Sequence, residues 1–215
     1  MPGCCASKDY ERLFGKRGAA RAAQRYRKRG LTGTARELVD LAGDVRGESV
    51  LEVGGGIGSI ELELLAGGAE HATNIELSGE YEHAAGELLA ERGLAGRVDR
   101  RIGDFVTDAA SFEPHDVVVM HRVVCCYPDV DALVGSAAER ARRRLLLTYP
   151  RERLVVRVVL RLVNLMLSIS GNAFRVYVHP VDRIAAAAAK HGLELERRMR
   201  SRFWESAAFA VTSTY

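Results

Sequence analysis

The scarcities of this chain narrow it first. It has four cysteines, five prolines and one tryptophan among 215 residues. The cysteines stand as two vicinal pairs, Cys4-Cys5 and Cys125-Cys126. Neither pair has the C-x-x-C spacing of a tetrahedral zinc site, and no metal ligand is assigned. In a reducing compartment such residues stay thiols. No uncharged apolar run of membrane-spanning length occurs, which excludes a transmembrane helix. The N-terminus lacks the apolar stretch of a secretory signal, so a cytoplasmic location is the expectation. The net charge of +3 is too small to argue for a nucleic-acid partner.

What remains is ordinary for one globular α/β domain: 47% hydrophobic and 27% charged residues, in a chain long enough for a real core. Residues 1–30 read as a basic helical N-terminal arm, with Arg12, Lys16, Arg17, Arg21, Arg25, Arg27, Lys28 and Arg29 among alanines. Thr32 or Thr34 offers an N-cap for a helix through Leu41. Strands then alternate with helices. Ser49–Val53, His71–Glu76, Arg97–Ile102, Val117–Met120 and Leu145–Tyr149 read as strands, the last halted by Pro150. Helices follow the glycine loop (57–65), Ser78 (to about 92) and Asp129 (to about 140). This spacing predicts a doubly wound, mostly parallel sheet of seven strands. Leu193–Met199 and Phe203–Val211 close it as an antiparallel hairpin, after a helix over 181–191. One domain over 31–215, with a helical insert at about 151–178, is the expected layout.

The segment Val50-Leu51-Glu52-Val53-Gly54-Gly55-Gly56-Ile57-Gly58 runs from strand to helix through glycines. Glycine lets a ligand approach the backbone, and the following helix presents free N–H groups. A dinucleotide loop, G-x-G-x-x-G, breaks at Ser59, and a phosphate loop lacks its lysine after Gly58. The pattern that fits is acidic-x-Gly-x-Gly-x-Gly, carried by Glu52, Gly54, Gly56 and Gly58.

That pattern resembles the first motif of class I S-adenosylmethionine-dependent methyltransferases. The resemblance implies that Glu52 and Gly54, Gly55, Gly56 and Gly58 approach the methionine half of S-adenosyl-L-methionine. It implies an acid at the end of the second strand for the ribose hydroxyls, and Glu76 stands there, followed by Leu77. It implies a polar residue after the third strand for the adenine amino group; Gly103-Asp104 fits, with Phe105 on the adenine face. A narrower likeness lies in His121-Arg122-Val123-Val124-Cys125-Cys126-Tyr127-Pro128, Tyr149-Pro150-Arg151 and Phe174-Arg175-Val176-Tyr177-Val178-His179. This order is similar to the magnesium-protoporphyrin O-methyltransferase family, which methylates a carboxylate. Cys126 stands where that family has a histidine, and a neutral thiol is a poorer partner for a carboxylate. The acceptor therefore stays open.

Methyl transfer from a sulfonium asks the protein to align the acceptor and exclude water. His121, directly after the fourth strand, reads as base or substrate orienter and as part of the cofactor site, with Tyr127 as a second catalytic candidate. Tyr149, Arg175, Tyr177 and His179 read as substrate contacts; the last three alternate along an extended segment and suit an anion. Arg153, Arg157 and Arg161 line one face of a helix opposite Leu154, Val158, Leu162 and Leu165, an amphipathic lid or an interfacial helix. The basic arm suits an acidic substrate or a peripheral contact with an anionic membrane. The expected activity is methyl transfer to a small, anionic and partly apolar molecule. Two readings compete with it: a non-catalytic metal- or metalloid-binding protein using the cysteine pairs, and a nucleotide-dependent oxidoreductase.

Overall fold

A computed structural model describes residues 13–211. The Cys4-Cys5 pair and Arg12 lie outside the described residues. Seven strands form one sheet: β1 (Ser49–Val53), β2 (His71–Glu76), β3 (Val98–Ile102), β4 (His115–Met120), β5 (Ala141–Pro150), β6 (Leu193–Arg200) and β7 (Trp204–Val211). Their order is β3-β2-β1-β4-β5-β7-β6. β1 to β5 run parallel, and β7 pairs antiparallel with both β5 and β6. The mostly parallel sheet and the closing hairpin are those expected from the sequence.

Parallel strands need both faces covered, and the core shows how alternation achieves it. Val50, Val117, Val119 and Leu146 face one buried cluster, with Leu38, Ile60 and Leu64. Leu51, Val118, Met120, Leu145 and Leu147 face the other, with Leu133, Ile184 and Phe209. Each such side chain stabilises the fold by about 1.5–3 kcal/mol. The helices supplying these layers are α1 (Lys16–Arg29), α2 (Thr34–Ala42), α3 (Ser59–Ala66), α4 (Glu82–Glu91), α5 (Phe105–Asp108), α6 (Val130–Glu139), α7 (Leu154–Ile169) and α8 (Val181–Ala189). α1 buries Ala19, Ala23 and Tyr26 in the first cluster, while Arg27 pairs with Glu87 and Glu91 on α4.

Several boundaries differ from the sequence reading for physical reasons. The N-cap of α2 is Gly33, with φ 56°, and neither Thr32 nor Thr34 caps it by its side chain. Ser78 caps a single 3-10 turn over Gly79–Tyr81 before α4 begins. β5 starts at Ala141 and includes Pro150, whose antiparallel partner is Trp204 at the end of the ladder. The insert is helical only to Ile169; residues 172–180 have no regular secondary structure.

Candidate functional site

A cleft open to solvent lies at the carboxyl ends of β1, β2 and β4. This edge is where ligands bind in such sheets. Gly54, Gly56, Glu76, Leu77, His121 and Tyr127 line it. Gly103, Asp104 and Phe105 form its far wall. The structure thus brings these predicted residues together around one space.

The loop has a fixed shape because its peptide groups are held. Gly54 N–H donates to Ile75 O at 2.7 Å. Gly56 N–H donates to Glu76 Oε2 at 2.9 Å, and Gly56 O accepts from Arg100 Nη2 at 2.8 Å. The two peptide groups that flank the Gly56 Cα are therefore held by opposite charges. Glu76 Oε1 accepts from Ser78 N–H at 3.0 Å, so two backbone donors orient this carboxylate at the cleft wall. Burial raises its pKa, while the same backbone donors oppose that rise.

Glu52, Gly55 and Gly58 do not line the cleft. They belong to a buried polar layer beneath it. Glu52 Oε2 accepts from Glu61 N–H at 2.9 Å. Glu61 takes Asn74 Nδ2 at 2.7 Å and Arg100 Nη1 at 3.1 Å, and Arg100 also pairs with Glu82. A Cβ at Gly55 would stand 2.1 Å from Asn74 Nδ2 and 2.9 Å from Glu52 Cδ, so any larger residue collides with this layer. Burial pushes Glu52 well above the usual carboxylate range, with the Glu61 charge adding to it. Burial likewise raises Glu61 to about 7, against the pull of Arg100. Asn74 Oδ1 is buried in the same layer with no hydrogen-bond partner among the described residues.

Asp104 caps α5, its Oδ1 accepting from Val106 N–H at 3.0 Å, and Phe105 packs on Phe112 at 5.9 Å. His121 Nε2 lies 2.9 Å from Thr34 Oγ1. Burial, then the Arg122 charge, pushes His121 down to about 4, so at neutral pH the imidazole is an uncharged, anchored hydrogen-bonding group. Tyr127 is fixed through its carbonyl, which accepts from His179 Nε2 at 2.9 Å.

The four predicted substrate residues sit off the cleft. Tyr149 is inside the sheet, its hydroxyl donating to Glu205 Oε1 at 3.1 Å. Arg175 turns to the carbonyls of Asn172 and Phe174, at 2.6 and 2.8 Å. Tyr177 and His179 do share a face, their rings stacked 5.6 Å apart. Tyr177 lines a separate groove with Arg157, Arg161 and Asn164. The segment is tied to the cleft all the same, because Tyr177 N–H donates to Cys125 O at 2.7 Å.

Cys125 and Cys126 are thiols with sulfurs 3.7 Å apart, and Cys126 reaches the cleft wall. Their mutual hydrogen bond lowers the Cys125 pKa. Among the described residues no group of three His, Cys, Asp or Glu could hold a metal ion.

Sequence reasoning missed Phe14, Tyr81 and Arg122 on the wall, and Glu61, Asn74 and Arg100 beneath it. Arg122 has φ 59°, rare outside glycine, and its guanidinium lies 4.7 Å from the Trp204 ring centroid. Two signals were available. Asn74 is a polar residue in the middle of a buried parallel strand, and Glu61 interrupts the apolar run Ile60-Leu62-Leu64.

No family model matches the chain, and no curated protein matches it. Solved structures do. The magnesium protoporphyrin IX methyltransferase of Synechocystis PCC 6803 with bound SAH is 19% identical, over 95% of this chain and 94% of that one, with a TM-score of 0.68. The same enzyme with bound SAM gives 18% identity, 95% and 90% coverage, and a TM-score of 0.64. An O-methyltransferase family protein from Burkholderia thailandensis is 18% identical over 93% of this chain and 59% of that one, with a TM-score of 0.71. At these identities the likeness is one of fold. The chain has the Rossmann-like methyltransferase fold.

Proposed function

We propose that this protein transfers a methyl group from S-adenosyl-L-methionine to a small, partly apolar acceptor with anionic character. The observation that carries the reading is the Glu76 carboxylate. It stands at the end of β2 on the cleft wall, aimed by the N–H groups of Gly56 and Ser78. The described residues fit the cofactor by chemistry. Gly54 and Gly56 put bare backbone at the cleft wall, and Glu76 at the end of β2 and Asp104 and Phe105 just after β3 stand with them.

When bound, the cofactor supplies an electrophilic methyl on a sulfonium, which needs no activation by the protein. Glu76 accepts from the ribose hydroxyls, Asp104 from the adenine amino group, and Phe105 packs on the ring. Gly54 and Gly56 admit the methionine half. His121, neutral and held by Thr34, orients the acceptor, with Tyr127 across the cleft. Arg122 supplies a cation at the wall for an anionic acceptor. Arg175 and His179 act through position: His179 and the Tyr177 N–H hold 172–180 against Tyr127 and Cys125, and Arg175 ties the Asn172 and Phe174 carbonyls within that segment. A carboxylate acceptor needs no base, which suits an imidazole that stays neutral down to about pH 4.

Calorimetry with S-adenosylhomocysteine tests the reading. Binding is expected, and Glu76→Ala lowers affinity about 10- to 150-fold, the value of a charged hydrogen bond. Glu76→Gln, which keeps the shape and one acceptor oxygen, loses less. Equal affinity in wild type and Glu76→Ala sinks the assignment, as does preferential binding of NADH.

A further inference from the structure

α7 carries its apolar side chains on the outside. Leu154, Met166 and Ile169 are 76%, 72% and 78% exposed, and Val155, Leu162 and Leu165 are exposed with them. At 100° per residue these six span an arc of roughly one third of the helix, and Val158 falls within it. Only Val156 is buried against the protein, flanked by the half-buried Leu160, Asn164 and Leu167. One edge of the arc holds Arg157, Ser168 and Arg161, the other the exposed Val159 and Val163, and the helix contains no Asp or Glu. Arg157 pairs with Glu152; Arg161 has no carboxylate partner among the described residues. A patch this long is far from the scattered exposed leucine of an ordinary surface.

We propose that α7 is a docking helix for an anionic lipid bilayer, lying in the interface with its apolar arc in the acyl region and its arginines at the headgroups. Charge complementarity selects this occupant. Arginines at the boundary of the apolar arc meet anionic headgroups while their stems stay in apolar contact. A second copy of the chain would bring the same acid-free, arginine-edged helix against itself. The helix cannot span the membrane: its 16 residues cover roughly 24 Å against a hydrocarbon core of about 30 Å. No helix among the described residues is long and apolar enough to cross.

The face is braced for this task. Asn164 grips the segment that follows the helix, donating to Val176 O and accepting from Val176 N–H, both at 2.8 Å. The next residue, Tyr177, bonds to Cys125, whose neighbour Cys126 lines the cleft. The apolar face thus stands on an element joined to the cleft rim.

Vesicle flotation tests the proposal, with vesicles of phosphatidylcholine alone and of phosphatidylcholine and phosphatidylglycerol in equal parts. Wild type should float with the mixed vesicles and not with the neutral ones, and added salt should weaken binding. Leu162→Glu and Met166→Glu should each weaken it about tenfold or more. Arg157→Gln with Arg161→Gln should weaken it by a similar factor and reduce the salt dependence, and this pair keeps the test valid if a glutamate variant misfolds. No flotation of wild type overturns the proposal, and so does equal binding to neutral vesicles. A wild-type dimer in sedimentation that Leu162→Glu converts to monomer overturns it in favour of a protein interface.

Discussion

Beneath the glycine loop, Glu52, Glu61 and Arg100 are ionisable groups in the interior; along α7, Leu154, Met166 and Ile169 are apolar groups on the outside. Both regions invert the usual distribution, and they differ in what answers the inversion. The buried layer is answered within the chain. Arg100, with a side chain 8% exposed, meets Glu61, Glu82 and Gly56 O at once. Among the described residues nothing covers the apolar face of α7; Val156, the buried residue of the helix, lies on its other side. An internally compensated inversion fixes a shape, here the loop that forms the cleft wall. An uncompensated one points outward to another phase or molecule.

The sharpest way to break this contrast is Arg100→Ala. It leaves Glu61 buried without its cation and releases the Gly56 carbonyl. Removing one partner of a buried pair costs about 3–5 kcal/mol. Urea denaturation reads the loss directly. The same variant should weaken S-adenosylhomocysteine binding, because the Gly56 backbone loses one of its two holds. A loss below about 1 kcal/mol, the scale of an exposed pair, would mean that the layer is solvated and does not brace the loop.

Gly55→Ala attacks the same layer from above. Its Cβ would lie 2.1 Å from Asn74 Nδ2, between the Asn74 and Glu52 side chains. Overpacking of this kind costs about 1–3 kcal/mol. Gly79→Ala is the control, since a Cβ there meets nothing within 4 Å. Thermal melts of the two variants should separate clearly.

A subtler effect appears as a slope against pH. Burial raises Glu52 and Glu61, the latter to about 7, above their unfolded value of 4.5. A raised carboxylate holds its proton better in the folded state. Its stabilisation is full below the unfolded pKa and is lost as pH rises through the folded one. The pair therefore contributes a loss of stability between about pH 5 and pH 8. Below the unfolded histidine value of 6.5 it is opposed by the depressed His121, which contributes a gain there. Glu52→Gln, a permanent mimic of the neutral acid, should shift the wild-type slope by removing the Glu52 share of the loss. An unchanged slope would show that Glu52 is not part of it.

The sequence made the frame legible because buried parallel strands are short, dense and bounded by turns. Glu76 and Asp104 were legible because strand ends are where such sheets hold ligands. The polar layer was not, since Glu61 and Arg100 stand 39 positions apart and meet only when β3 pairs with β2. Arg175 and Tyr149 read as substrate contacts from pattern alone. Local contacts turned the first to the Asn172 and Phe174 carbonyls, and a tertiary one turned the second to Glu205. The arginine and leucine stripes of α7 were legible too, but periodicity gives the faces of a helix and not which of them meets the protein.

Ile169→Ser closes the comparison from the other side with the smallest expected effect on folding. Ile169 is 78% exposed at the end of α7. A core isoleucine cut to a small residue costs about 2–5 kcal/mol, but a side chain already in water has little burial to lose. The melting temperature should stay where surface substitutions leave it, within about 0.5 kcal/mol of wild type. Arg100→Ala and Ile169→Ser then form a crossed pair: loss of an interior charge cripples the fold, and loss of an exterior apolar group leaves it intact. If Ile169→Ser instead destabilises the protein by several times that amount, the α7 face is covered in solution. The comparison would then collapse, because both inversions would be internally answered.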